Sequence, residues 1–392
     1  MYLESMYQLG AKRSGIRELF EHGLRRAAEV GAENVYDYSL GNPSVPAPEE
    51  VRQAFMREAA REDSVAVHGY TPAAGDMEAR RAIAEDITAR SGMTVRAENI
   101  FVTCGAAPAL ISCIHALAVP EAEFVLLAPY FPEYTMFVGM SGSKSVVVPA
   151  EADFQLHPEK IAPYLNEHTQ AVLLNSPNNP SGVIYSRASL EALGALLREK
   201  SAAFGHPIYL ISDEPYRELA YDGIEVPYVP SIYENTIICY SWSKSLSLPG
   251  ERIGYVCVPD CAADHEELFC AIAGAARMAG HVCAPAMQQH VVKACLRARP
   301  DLAAYDRNRQ TLYRALTEYG YECVYPQGAF YMMVKAPGGS SAAFSERAKQ
   351  RDLLIVPGDS FGCPAYFRVS TCVSHEMILR SLPTFRALIE EA

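Results

Sequence analysis

From residue 100 onward one theme repeats along the chain: a short apolar run rich in β-branched residues, a loop, and in several places a helical pattern. The runs are "IFVTC" (100–104), "FVLLA" (124–128), "SVVVP" (145–149), "AVLLN" (171–175), "IYLISD" (208–213), "TIICYS" (236–241) and "RIGYVCV" (252–258). They are apolar with no clean alternation, which predicts strands buried on both faces of a mostly parallel sheet. Between them, "SLEALGALLREK" sets Leu190, Leu193 and Leu197 on one helical face, and "APALISCIHALA" follows the first run after a glycine turn. The expected architecture is α/β, a mostly parallel seven-stranded sheet flanked by helices.

Beyond residue 286 the pattern changes to a long helical stretch, then "CVYPQGAFYMMV", "LLIVPGDSFG", "YFRVSTC" and a closing helix, "EMILRSLPTFRALIEE". This reads as a smaller α+β unit. The amphipathic "GIRELFEHGLRRAA" near the N-terminus is expected to join it, so residues 46–285 would form the large domain, and 1–45 with 286–392 the small one.

Composition narrows the function classes. The chain of 392 residues has a net charge of −12 and no basic run that would track a nucleic-acid backbone or an anionic membrane, so neither is an expected partner. Its 11 cysteines include no C-x-x-C pair and lie largely in apolar runs, where a free thiol packs as a small hydrophobe. "MYLESMYQLGAKRSG" lacks an apolar core of signal-peptide type, and no apolar run approaches membrane-spanning length. A soluble protein of the reducing cytoplasm is expected.

In open α/β sheets ligands sit at the carboxyl ends of the strands, so the residues that close each run carry the functional information. The first run ends in "TCGAAPAL", where small residues let the backbone approach an anion at a helix N-terminus, although such turns are mostly structural. The fourth ends in "NSPNNPSG", which by itself reads as a loop whose asparagines satisfy their own backbone. The fifth ends in "SDEPY", placing Asp213 in an apolar context where a carboxylate needs a partner. The sixth ends in "SWSKSLSLPGERIGY", which groups Ser241, Ser243, Lys244 and Arg252. A phosphate cradle, an asparagine, a carboxylate, a tyrosine, a lysine and an arginine at one sheet edge form the inventory that pyridoxal phosphate needs.

These residues also carry a resemblance. The pattern S-x-S-K, four residues, P-G-x-R-x-G runs from Ser241 to Gly254, N-P-[ST]-G spans Asn179 to Gly182, and D-x-x-Y spans Asp213 to Tyr216. In motif order and spacing the chain resembles, over nearly its whole length, the class I/II aminotransferases of the aspartate aminotransferase superfamily, fold type I pyridoxal-phosphate enzymes. The resemblance implies that Lys244 bonds the cofactor as an imine and that Asp213 keeps its pyridine nitrogen protonated. It implies that Asn179 and Tyr216 hydrogen-bond its phenolic oxygen. Ser241, Ser243, Arg252 and the backbone of Gly105, Ala106 and Ala107 would hold the phosphate, and Phe131 would stack on the ring. Tyr70 would reach the phosphate of a second subunit, which implies a homodimer with sites completed across the interface. Arg368 would grip the substrate α-carboxylate, with Asn179 beside it and Gly41 behind it.

Two departures from the family pattern stand out. Ala106 and Ala107 replace a hydroxyl that many relatives use toward phosphate. A second arginine, used by the dicarboxylate-specific members, has its nearest candidate in Arg277, but a loose alignment puts Met278 at that position. The implied reaction moves an amino group between an L-amino acid and a 2-oxo acid, with 2-oxoglutarate as acceptor, by a ping-pong route. The same fold also serves β-lyases and synthases of the aminocyclopropane-carboxylate type, and, without turnover, pyridoxal-binding regulators. The last would add a DNA-binding module, for which only a short segment precedes "SLGNPS".

Overall fold

The structure, a computed structural model, describes residues 2–11 and 15–391. Its strands in chain order are β1 (Tyr36–Asp37), β2 (Ile100–Thr103), β3 (Glu123–Leu127), β4 (Lys144–Val148), β5 (Thr169–Asn175), β6 (Tyr209–Asp213), β7 (Thr236–Ser241), β8 (Gly254–Cys257), β9 (Tyr331–Lys335), β10 (Leu353–Leu354), β11 (Val356–Pro357) and β12 (Tyr366–Ser370).

Every apolar run singled out above is a strand, and β2 to β8 form one sheet ordered β2-β8-β7-β6-β5-β3-β4. All pairings are parallel except those of β8, which runs against both β2 and β7. Burial on both faces is explicit in β5. Ala171 and Leu173 pack toward the helices Ala106–Ala116 and His265–Met278, while Val172 and Leu174 pack toward the helix Arg187–Phe204. Leu190, Leu193 and Leu197 of that last helix are buried on the sheet, each contributing about 1.5–3 kcal/mol. Ser186 caps its N-terminus and Gly205, at φ 79°, ends it.

Two expectations change. β4 is not buried on both faces: four of its five residues are exposed or half-exposed, because it is the outer edge strand with a neighbour on one side only. Lys144 begins it and pairs with Glu123 at 2.6 Å, a charge of the kind that keeps an edge from pairing further. The long helical stretch after residue 286 is two helices, Ala286–Cys295 and Leu302–Glu318. Pro300 cannot continue a helix, and the Asp301 carboxylate accepts from the Ala304 amide at 3.0 Å to cap the second. The first packs with Glu49–Ala59 and Met77–Ser91 over β2, β7 and β8.

A second sheet, β11-β12-β9, is antiparallel and packs on the helices Leu302–Glu318 and His375–Glu390. β1 pairs in parallel with β10, which ties the segment before the large sheet to the chain's last third. The helix Gly15–Val30 approaches this pair at Gly23, where a Cβ would come within 2.7 Å of Leu354 Cδ1. Among the described residues no helix is long and apolar enough to cross a membrane, and the cysteines are free thiols.

Candidate active site

The parallel strands deliver their carboxyl ends to one edge of the large sheet, and β8 delivers its start to the same edge because it is reversed. Thr103, Asn175, Asp213 and Ser241 therefore end their strands at the edge where Arg252, in the left-handed region at φ 54°, leads into β8. After β7 the chain makes one helical turn, Trp242–Ser245, carrying Lys244, and returns through Pro249–Glu251. Gly254 is required in this return: a Cβ there would collide with the Tyr240 carbonyl and stand 2.9 Å from Gly105. Gly105, at φ 103°, caps the helix Ala106–Ala116 with no side chain of its own, and a Cβ on it would lie 2.7 Å from Arg252 Nη2. The two glycines bring the guanidinium against uncapped amides at a helix N-terminus, with Ser241 and Ser243 alongside, a geometry suited to a phosphate.

Asp213 closes β6 and lies behind this cradle. It is buried, and its Oδ2 accepts from Tyr134 Oη at 2.5 Å while Oδ1 has no partner. Burial raises its pKa from the usual 3.8 to about 7, against the lowering effect of the Tyr134 hydrogen bond. Asn175 Nδ2 donates to the Asp213 carbonyl at 2.8 Å, and its Oδ1 accepts from the Asn179 amide at 2.7 Å. Asn178 behaves as the turn chemistry predicts, accepting from the Ser181 amide and hydroxyl at 2.9 and 2.7 Å. Asn179 Oδ1 turns instead to Arg368, accepting from Nη1 at 3.1 Å. Two neighbouring asparagines thus do different work, one closing the loop and one facing the site.

A cavity of about 310 Å³ joins these groups, lined among others by Gly41, Ala106, Ala107, Phe131, Asn179, Asp213, Tyr216, Ser241, Ser243, Lys244 and Arg252. Lys244 Nζ donates to the Gly41 carbonyl at 2.5 Å, and burial pulls its pKa down from 10.5 to about 8. Phe131 is half-buried and meets Tyr134 edge-on at 5.6 Å between ring centres. Tyr70 is 91 % exposed and does not line this cavity. Arg277 is exposed near the end of its helix and does not line it either.

The residues present fit pyridoxal phosphate. The bare Asp213 Oδ1 is a buried acceptor for a protonated ring nitrogen, and the Gly105 cradle is space that a Cβ would fill. Lys244, a largely desolvated amine, opens on the same cavity.

Several participants were not singled out by sequence. Tyr134 and Asn175 lie within "PYFPEY" and at the start of "NSPNNPSG", but nothing in either stretch distinguishes an aromatic that holds a carboxylate from one that packs. Tyr331, in "GAFYMMV", reads as a strand residue yet lines the cavity, as do Ile16 and Leu40.

Comparison with known proteins gives a consistent picture. Residues 32–382 match the family model "Aminotransferase class I and II". The chain is 32 % identical over 367 residues to an aspartate/prephenate aminotransferase of Thermus thermophilus, covering 90 % of this chain and 91 % of that one. It is 27 % identical to aromatic-amino-acid aminotransferase 2 of Thermococcus litoralis, covering 96 % of each. Among solved structures, an amino transferase from Eubacterium rectale superposes with a TM-score of 0.98 at 51 % identity, covering 100 % of this chain and 99 % of that one.

Proposed function

Because the chain belongs to the class I and II aminotransferase family, whose members are pyridoxal-phosphate enzymes, we propose that it binds this cofactor in the cavity at the β2–β8 edge. There it would transfer the amino group of an L-amino acid to 2-oxoglutarate by ping-pong turnover. Asp213 carries the reading: a buried carboxylate with one oxygen held by Tyr134 and the other bare, in the cavity that also contains Lys244 and the phosphate cradle.

When bound, the cofactor supplies an electron sink that acidifies the substrate's Cα–H. The chain's own groups do the rest. Arg252, Ser241, Ser243 and the amides after Gly105 hold the phosphate, and Asp213 holds a proton on the ring nitrogen. Tyr216 and Asn179 direct hydrogen-bond donors at the phenolic oxygen, and Phe131 covers the ring face. Arg368 binds the substrate α-carboxylate beside Asn179 and Gly41. Lys244, a buried amine whose burial disfavours the charged form, takes the Cα proton as general base. The exposure of Tyr70 supports its reaching the phosphate site of a second copy in a homodimer. The division into a large unit over 46–285 and a small one from 1–45 and 286–392 is part of the same proposal, with the helix Ala286–Cys295 lying against the larger unit. A cytoplasmic location, in keeping with the free thiols, completes it.

The test is a donor panel on cofactor-loaded protein with 2-oxoglutarate present, starting from aspartate and the aromatic amino acids, which the relatives' names mention. Glutamate formed in step with the donor's 2-oxo acid, with parallel double-reciprocal plots, is the expected result. Ammonia and a 2-oxo acid without glutamate would make the protein a lyase and overturn the reading.

A further inference from the structure

Arg368 is 2 % exposed, and among the described residues no carboxylate is paired with it. Its Nη1 donates to Asn179, its Nη2 to the Ser39 carbonyl, and its Nε has no partner. An isolated buried guanidinium is costly, so something other than an anion must hold it. Two ring faces do: the guanidinium carbon lies 4.5 Å from the centre of the Tyr331 ring and 5.1 Å from that of Phe361.

The Tyr331 contact follows from register. β12 pairs with β9 so that Arg368 faces Met333 and Ser370 faces Tyr331, which puts Tyr331 and Arg368 diagonally on the same side of the sheet. The other end of Tyr331 reaches into the cavity. Its hydroxyl is 3.2 Å from that of Tyr216 and so close to Gly41 that a Cβ there would overlap it. The carbonyl of that same Gly41 accepts from Lys244 Nζ. One side chain therefore touches the carboxylate-binding arginine, the tyrosine aimed at the phenolic oxygen, and the glycine that receives the lysine.

We propose that Tyr331 is a positioning residue with two separable roles. Its ring face, with Phe361, holds Arg368 desolvated and oriented for a substrate α-carboxylate, and its hydroxyl donates to Tyr216 so that Tyr216 presents its own proton to the cofactor's phenolic oxygen. This rests on the roles given to Arg368 and Tyr216 above. It explains why position 41 is glycine: the hydroxyl occupies the space a side chain would take.

Tyr331→Phe removes only the hydroxyl, while Tyr331→Leu and Phe361→Leu each remove a ring face. The probe is 2-aminoisobutyrate, which carries the carboxylate but has no α-proton to lose, bound to cofactor-loaded protein with Arg368→Lys as reference. For Tyr331→Phe, probe affinity is expected to stay within about threefold, while the pH midpoint of the loaded enzyme's visible absorption rises by about half a unit or more, as one lost hydrogen bond implies. For the two leucine variants the dissociation constant is expected to rise about tenfold, as loss of a desolvated cation–π contact implies, with KM affected more than kcat. Near-isosteric Tyr331→Phe keeps the test open if a leucine variant fails to fold.

Unchanged affinity in folded leucine variants, with affinity lost in Arg368→Lys, would overturn the aromatic clamp and leave the site reading intact. An unmoved midpoint in Tyr331→Phe would overturn the hydroxyl role. Full probe affinity in Arg368→Lys would overturn the reading of Arg368, and the clamp with it.

Discussion

Without cofactor, the Asp213 carboxylate is a liability that the fold carries for the sake of its ligand, and its removal should stabilise the cofactor-free protein. Burial raises its pKa from 3.8 to about 7. A group whose folded pKa is raised in this way costs stability fully above the folded value, and the cost fades as pH falls toward the unfolded value. The difference of about 3 corresponds to about 4 kcal/mol at pH 9, and to less than half of that at pH 5, where the folded carboxyl is protonated. Asp213→Asn keeps an oxygen for Tyr134 and introduces no charge, so the mutant's advantage should widen by about 2–3 kcal/mol between pH 5 and pH 9. Titration of Lys244 occurs in both proteins and cancels from the comparison. The chain's single tryptophan, Trp242, lies two residues before Lys244, and its fluorescence can follow urea unfolding of both apoproteins at the two pH values. With cofactor the sign reverses, because the asparagine cannot hold a proton on the ring nitrogen, and the mutant should bind pyridoxal phosphate more weakly. An advantage that does not depend on pH would refute the view of Asp213 as a buried, ligand-awaiting charge.

Tyr134→Phe removes the hydrogen bond that favours ionised Asp213, worth about 1.5–3 kcal/mol for a charged acceptor, so cofactor affinity measured by fluorescence quenching should fall roughly 10- to 100-fold. Affinity equal to that of the wild type would show that Tyr134 only packs. Gly254→Ala forces a methyl onto the Tyr240 carbonyl and the Gly105 backbone, at a cost of about 1–3 kcal/mol in melting stability. It should also weaken pyridoxal phosphate more than unphosphorylated pyridoxal, and equal weakening of the two would show that the close approach does not shape the phosphate cradle.

The large sheet was legible because burial on both faces leaves a local signature: runs such as "AVLLN" have no polar face to show. The chemistry at the strand ends was legible for a related reason. A lysine among serines and an aspartate at the end of an apolar run break the local pattern, and only a ligand or a partner repays the break. Tyr134, Asn175 and Tyr331 break nothing. An aromatic beside an apolar run or an asparagine in a turn is what packing and loop chemistry would place there anyway, so their roles became visible only when Asp213, Asn179 and Arg368 were seen to lean on them.

Local sequence determined which segments are strands and helices and which side chains stand at their ends, since both depend on neighbours a few residues away. Tertiary structure decided how those ends meet. It reversed β8 so that Arg252 faces the helix after Gly105, left β4 as a half-exposed edge, and set Tyr331 diagonally against Arg368 from another strand. Strand direction, edge position and diagonal contact depend on pairings between segments far apart in the chain, and such pairings are chosen by the energy of the whole packed core, not by any stretch of it.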